Sequence, residues 1–77
     1  MNALTLRRID PEENMRRFYR LDVQPDLFGG WSLFKEFGRI GSPGRLRSAP
    51  YSTQAAALDA LRKQRQVKER RGYSPIR

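Results

Sequence analysis

An antiparallel β-sheet of four to five strands with one α-helix packed on one face is the α+β fold that this sequence predicts. Three observations lead there. Four segments before residue 52 alternate apolar and polar side chains with a period of two. Each is cut from the next by Pro, Gly, Asn or Asp. One long run of good helix formers follows Ser52-Thr53, and a helix placed after a set of strands buries its apolar stripe against the sheet.

Ala3 to Ile9 is the first strand, with Leu4 and Leu6 on one face and Thr5, Arg7 and Ile9 on the other. Asp10-Pro11-Glu12-Glu13-Asn14 is a loop, since Pro11 lacks an N–H and Asp and Asn favour turns. Met15 to Gln24 is a longer strand that places Tyr19, Leu21 and Val23 with Met15, opposite Arg16, Phe18, Arg20 and Asp22. Pro25 to Gly30 is a hairpin connection longer than a two-residue turn. The third strand, Trp31 to Ile40, points Trp31, Leu33, Lys35, Phe37 and Arg39 one way and Ser32, Phe34, Glu36, Gly38 and Ile40 the other. Gly41-Ser42-Pro43-Gly44 turns the chain into a weaker strand, Arg45 to Tyr51, with Pro50 at its edge or end. Ser52 or Thr53 caps a helix running to about Arg70, and Gly72 stops it. Its stripe is Ala57, Leu58 and Leu61, extended by Gln54 and the stem of Arg65. Tyr73 to Ile76 either rejoins the sheet or docks on it. The expected core is Leu4, Leu6, Tyr19, Leu21, Leu33, Leu58 and Leu61.

Seventy-seven residues make one domain, 1–77, with a small core and modest stability. The chain has no cysteine and no histidine, so disulfides are excluded, a zinc site is not expected, and a reducing cytoplasm is the expected compartment. The longest apolar run, Ala55 to Leu58, is far below the roughly 20 residues of a membrane helix, and the first residues lack the pattern of a signal peptide. Without His or Cys, and with its acids scattered, the chain is expected to be no enzyme and to use no cofactor, metal or small-molecule substrate.

Charge is the strongest functional signal. The net charge is +8, and residues 1–38 carry six Lys/Arg against six Asp/Glu, while residues 39–77 carry ten against two. All the excess follows Gly38, a distribution expected of a polyanion binder. Arg39 suits phosphate because its guanidinium makes paired, charge-assisted hydrogen bonds; its alternative is an ion pair with Glu36 or Asp22. Lys35 and Phe37 share its face, and Arg45 and Arg47 follow the glycine turn, whose N–H groups are available to an anion. Arg62, Arg65 and Lys68 are spaced three apart and form one helical ridge, which either tracks a phosphate backbone or is a solvated face. Trp31, at the start of its strand beside Leu33, belongs with the core, and Phe37 is either a contact or a core aromatic.

The order of these pieces resembles the WGR domain, the module that accompanies DNA-damage-activated poly(ADP-ribose) polymerases and also occurs in short bacterial proteins. The likeness is carried by Ile9-Asp10-Pro11 with Asn14, Phe18-Tyr19 through Gln24, Asp26-Leu27-Phe28-Gly29, the strand and turn from Trp31 to Gly44, Tyr51 through Ala57, and Lys68 with Gly72-Tyr73. The triplet that names the family, Trp-Gly-Arg, stands here as Phe37-Gly38-Arg39. In the polymerases the signature Trp packs on sugar at a DNA end, and the Arg helps hold DNA and neighbouring domains together. The resemblance therefore implies a module that binds DNA, at an end or nick, through phosphate and sugar without strong base specificity, with RNA as a further possible ligand. The nucleic-acid-binding residues it implies, together with the charge pattern, are Lys35, Phe37, Arg39, Arg45, Arg47, Arg62, Arg65 and Lys68. The rival reading is a protein-interaction adaptor whose basic face docks an acidic partner. No membrane partner is expected.

Overall fold

A computed structural model describes residues 2–76; Met1 and Arg77 lie outside the described residues. The five strands are β1 (Asn2–Asp10), β2 (Met15–Pro25), β3 (Trp31–Arg39), β4 (Arg45–Tyr51) and β5 (Ser74–Pro75). The helix, α1 (Gln54–Arg70), lies between β4 and β5 in the chain. All pairings are antiparallel, in the order β4-β3-β2-β1-β5. The strands form three successive hairpins, and the short C-terminal strand returns to pair Pro75 with Leu6 and Ser74 with Arg7. Of the two alternatives for Tyr73 to Ile76, rejoining the sheet is the one adopted, and Ile76 N–H donates to the Thr5 carbonyl at 2.9 Å.

Register keeps the apolar alternation in phase across the sheet. Leu6 faces Tyr19, Leu4 faces Leu21, and Val23 faces Leu33, so one face is apolar through its middle. The helix lies over β2 and β3 on that face and reaches β4. Leu6, Tyr19, Leu21, Val23, Leu33, Ala57 and Leu61 form the buried core. Leu4 and Leu58 pack against it but remain half-buried, so the expected core gains Val23 and Ala57, with these two leucines at its margin. Ala57, in the first turn of the helix, is fully buried against the sheet.

The helix ends are held by the chemistry their residues supply. Thr53 is the N-cap, and its hydroxyl accepts from Ala56 N–H at 3.1 Å. At the other end Gly72 has φ +95°, its N–H donates to the Glu69 carbonyl at 3.1 Å, and Tyr73 N–H donates to the Lys68 carbonyl at 3.1 Å. This paired closure needs a residue in the left-handed region, which glycine adopts without a steric penalty. It also ties the backbone of Tyr73 to that of Lys68 and brings the Tyr73 ring near the Lys68 ammonium.

Candidate nucleic-acid interface

One end of the helix-bearing face combines arginines with aromatic rings. Across it the register sets Arg8 opposite Arg17, Arg17 opposite Arg39, Tyr19 opposite Phe37, and Phe37 opposite Arg45. Antiparallel alternation turns all of these toward the side on which the helix lies. The helix runs back from the Tyr51 end, and its last turn arrives above these residues, bringing Lys68 and Tyr73. The result is a cleft of about 630 Å³ between sheet and helix C-terminus.

The wall of the cleft is aromatic. Tyr19 and Phe37 stack with ring centres 5.5 Å apart and planes 14° apart, and Tyr73 meets Tyr19 edge-on at 6.2 Å. Gln64 Nε2 donates to the Tyr19 hydroxyl at 3.0 Å and holds that ring in place. The rim is cationic: Arg16, Arg17, Arg39, Arg45 and Lys68 line the cleft against a single acid, Glu13. Lys68 Nζ stands 4.5 Å from the Tyr19 ring centre and 5.7 Å from that of Tyr73.

Burial dominates the proton equilibria of the site. Burial, aided by Arg71, Lys35 and Arg17, pulls the Lys68 ammonium below the ordinary lysine range. Burial pushes the Tyr19 phenol up, with Tyr73 adding to the shift and the Gln64 hydrogen bond opposing it.

Four of the residues expected to bind, Phe37, Arg39, Arg45 and Lys68, meet in the cleft. Lys35 and Arg47 face each other one step along the same side, outside its lining. The ridge of three cations divides. Arg62 lies 4.0 Å from Asp59, which Lys63 approaches to 3.1 Å, and Arg65 pairs with Glu69 at 3.0 Å, leaving Lys68 to turn inward. The alternative pairing of Arg39 with Glu36 or Asp22 is not formed among the described residues, because those acids belong to the opposite face. Phe37 is half-buried, at once stacked on a core tyrosine and part of the cleft wall. Trp31 packs on the core at the far end of β3.

Arg16, Arg17 and Tyr73 join the site although the sequence pattern alone does not place them there, and Tyr19 reads in that pattern only as core. Arg17 does carry a signal: it sits two residues before Tyr19 and therefore on its face. The glycine turn proves to be a packing device. A Cβ on Gly44 would stand 2.7 Å from Phe18 Cζ and 2.9 Å from the Phe37 carbonyl oxygen, and one on Gly38 would meet Gly44 Cα at 3.0 Å. Among the described residues no three His, Cys, Asp or Glu side chains gather as a metal site, and no helix is long and apolar enough to cross a membrane.

A five-stranded antiparallel sheet, one helix across one face and the Phe37-Gly38-Arg39 strand at a cationic cleft agree with a match of the WGR domain model to residues 2–77. The chain belongs to the WGR domain family. It is similar to "Uncharacterized protein y4dW" of Sinorhizobium fredii (strain NBRC 101917 / NGR234), with 37% identity over 76 residues, 94% of this chain and 35% of the relative. The chain thus spans about a third of the length of that relative. No solved structure matches it significantly.

Proposed function

We propose that this chain is a non-enzymatic, cytoplasmic module that binds nucleic acid, DNA first, at an end or nick and without strong base specificity. The observation that carries the reading is the cleft itself: an aromatic wall with Arg17, Arg39, Arg45 and Lys68 around it. Arg17, Arg39 and Arg45 lie on three adjacent strands and present guanidinium groups suited to successive phosphates. Phe37 offers a ring to a sugar or an unpaired terminal base, a surface buried inside a continuous duplex but exposed at a break. Lys68 adds a point charge from above. Its position between the aromatic rings and the arginines suits a phosphate that bridges the two halves of the cleft.

Binding to blunt, nicked, single-stranded and uninterrupted duplex DNA, titrated with salt, tests this. Four to six phosphate contacts give a slope of log K against log salt of about −4 to −5. Phe37→Ala is expected to weaken end or nick binding by about 1–3 kcal/mol, the worth of one aromatic stack, while leaving uninterrupted duplex nearly unchanged. Arg39→Ala is expected to weaken every form and to lower the slope by about one. Because Phe37 also stacks on Tyr19, the melting temperature is measured on the same sample. A folded Phe37→Ala protein that keeps its end preference removes Phe37 from the contact. No binding to any of these forms at low salt rejects the nucleic-acid reading and leaves an acidic protein as the ligand of the basic face.

A further inference from the structure

The pole opposite the cleft has the reverse character. The β2–β3 connection presents Leu27 and Phe28 at 96% and 95% exposure, two adjacent large apolar side chains with almost no contact to the rest of the molecule. The loop that carries them is nevertheless closely organised. The Asp26 carboxylate accepts from Phe28 N–H at 2.7 Å and from Gly30 N–H at 3.0 Å. Asp26 N–H in turn donates to the Gly30 carbonyl at 2.9 Å, and Gly29 takes φ +87° to close the ring. The carboxylate is thus engaged by backbone donors, and the two side chains are held outward on a loop whose entropy is already lost.

The surroundings of the loop are uncharged. Residues 23–34 and 48–58, which the Trp31–Tyr51 register brings to this pole, carry Asp26 as their single charged side chain. The whole +8 excess lies elsewhere, and the nine-residue β3 sets the cleft about 27 Å away. A bilayer is a poor occupant, because interfacial apolar anchors rely on neighbouring cations to engage anionic lipid. Two copies of a chain this basic repel each other in most orientations, and they approach at least cost with their neutral poles together and their cationic ends apart. We propose that Leu27 and Phe28 are a self-association surface, joining two copies of this chain tail to tail about a twofold axis. A dimer of this kind directs its two clefts in opposite directions. The loop and its collar of Pro25 and Pro50 present less than the roughly 800 Å² per partner of a standard interface, so the dimer is weak and concentration-dependent.

The test is sedimentation velocity of the full chain, without nucleic acid and at high salt, from about ten to several hundred micromolar. The wild-type chain should move from monomer to twice its mass across that range. The double variant Leu27→Ser, Phe28→Ser should associate at least about ten-fold more weakly. Both side chains are exposed, so its melting temperature should match that of the wild type. Leu46→Ser, on the sheet face away from the helix, should associate normally. A wild-type chain that stays monomeric throughout overturns the proposal. So does a double variant that dimerises like the wild type, or an association abolished by Leu46→Ser alone. Loop-dependent flotation of a monomeric chain with phosphatidylcholine–phosphatidylglycerol vesicles would assign the loop to a membrane and overturn it equally.

Discussion

The Lys68 ammonium is partly buried against the faces of Tyr19 and Tyr73, and Arg71, Lys35 and Arg17 add their repulsion to the cost of that burial. The free protein therefore releases this proton at a lower pH than an ordinary lysine, whose value is 10.5. The unfolded chain holds the proton longer, so the penalty on folding is full below the lowered value and fades as pH rises toward 10.5. A phosphate in the cleft reverses the balance and favours the charged form. Nucleic-acid affinity should accordingly fall as pH climbs from neutral toward about 10, earlier than an ordinary lysine would cause. Lys68→Arg should bind normally at neutral pH and lose that early decline, because arginine stays charged throughout. Anisotropy titrations of both proteins across the window check this, and parallel declines would show that Lys68 is not the titrating contact. The Tyr19 phenol is shifted upward by burial, away from this range. Another buried group is harder to account for. Asp22 lies on the sheet face away from the helix, accepts from Gln24 Nε2 at 2.6 Å, and leaves Oδ1 without a partner among the described residues. Nothing in the structure explains that orphan oxygen.

The β3–β4 turn shows how an element can be right in sequence and its reason hidden. Gly44 reads as a flexible turn residue, yet it is required because the turn folds down onto Phe18 and the backbone of Phe37. Gly44→Ala should cost roughly 1–3 kcal/mol of stability by forcing that contact apart. It should also weaken binding, since the turn sets the spacing of Arg39 and Arg45. Urea denaturation and a salt titration of the one variant measure both; a fully stable variant would mean that Phe18 moves aside freely. The strand spans, the helix and its Thr53 cap were legible because period-two and helical patterns act over short stretches of chain. The cleft was half legible. Phe37, Arg39 and Arg45 announce themselves around one turn, whereas Arg17 and Tyr73 join them only through register across two strands and the closing turn of the helix. Spacing of three groups Arg62, Arg65 and Lys68 on one ridge, and the structure adds that Asp59 and Glu69 lie beside the first two.

At the scale of the molecule, a core of seven buried residues supports the whole arrangement. Leu61 joins the helix to the sheet from 8% exposure, and Leu61→Ala should cost about 2–4 kcal/mol, a large share of what a domain this small possesses. Calorimetry or urea denaturation checks it, and a loss below about 1 kcal/mol would show that the helix is held mainly by its ends. Charge asymmetry was legible along the sequence, and the fold converts it into polarity in space: cations at one end of the sheet, a neutral apolar loop at the other. The return of β5 to β1 draws the two halves of the cleft from distant parts of the chain. Lys68 and Tyr73 come from the end of the helix, and just beyond them β5 pairs with β1, a contact between segments more than sixty residues apart. The cleft is thus a property of the closed fold: the three hairpins alone bring arginines together, and its other side comes from the helix end and the segment that follows it.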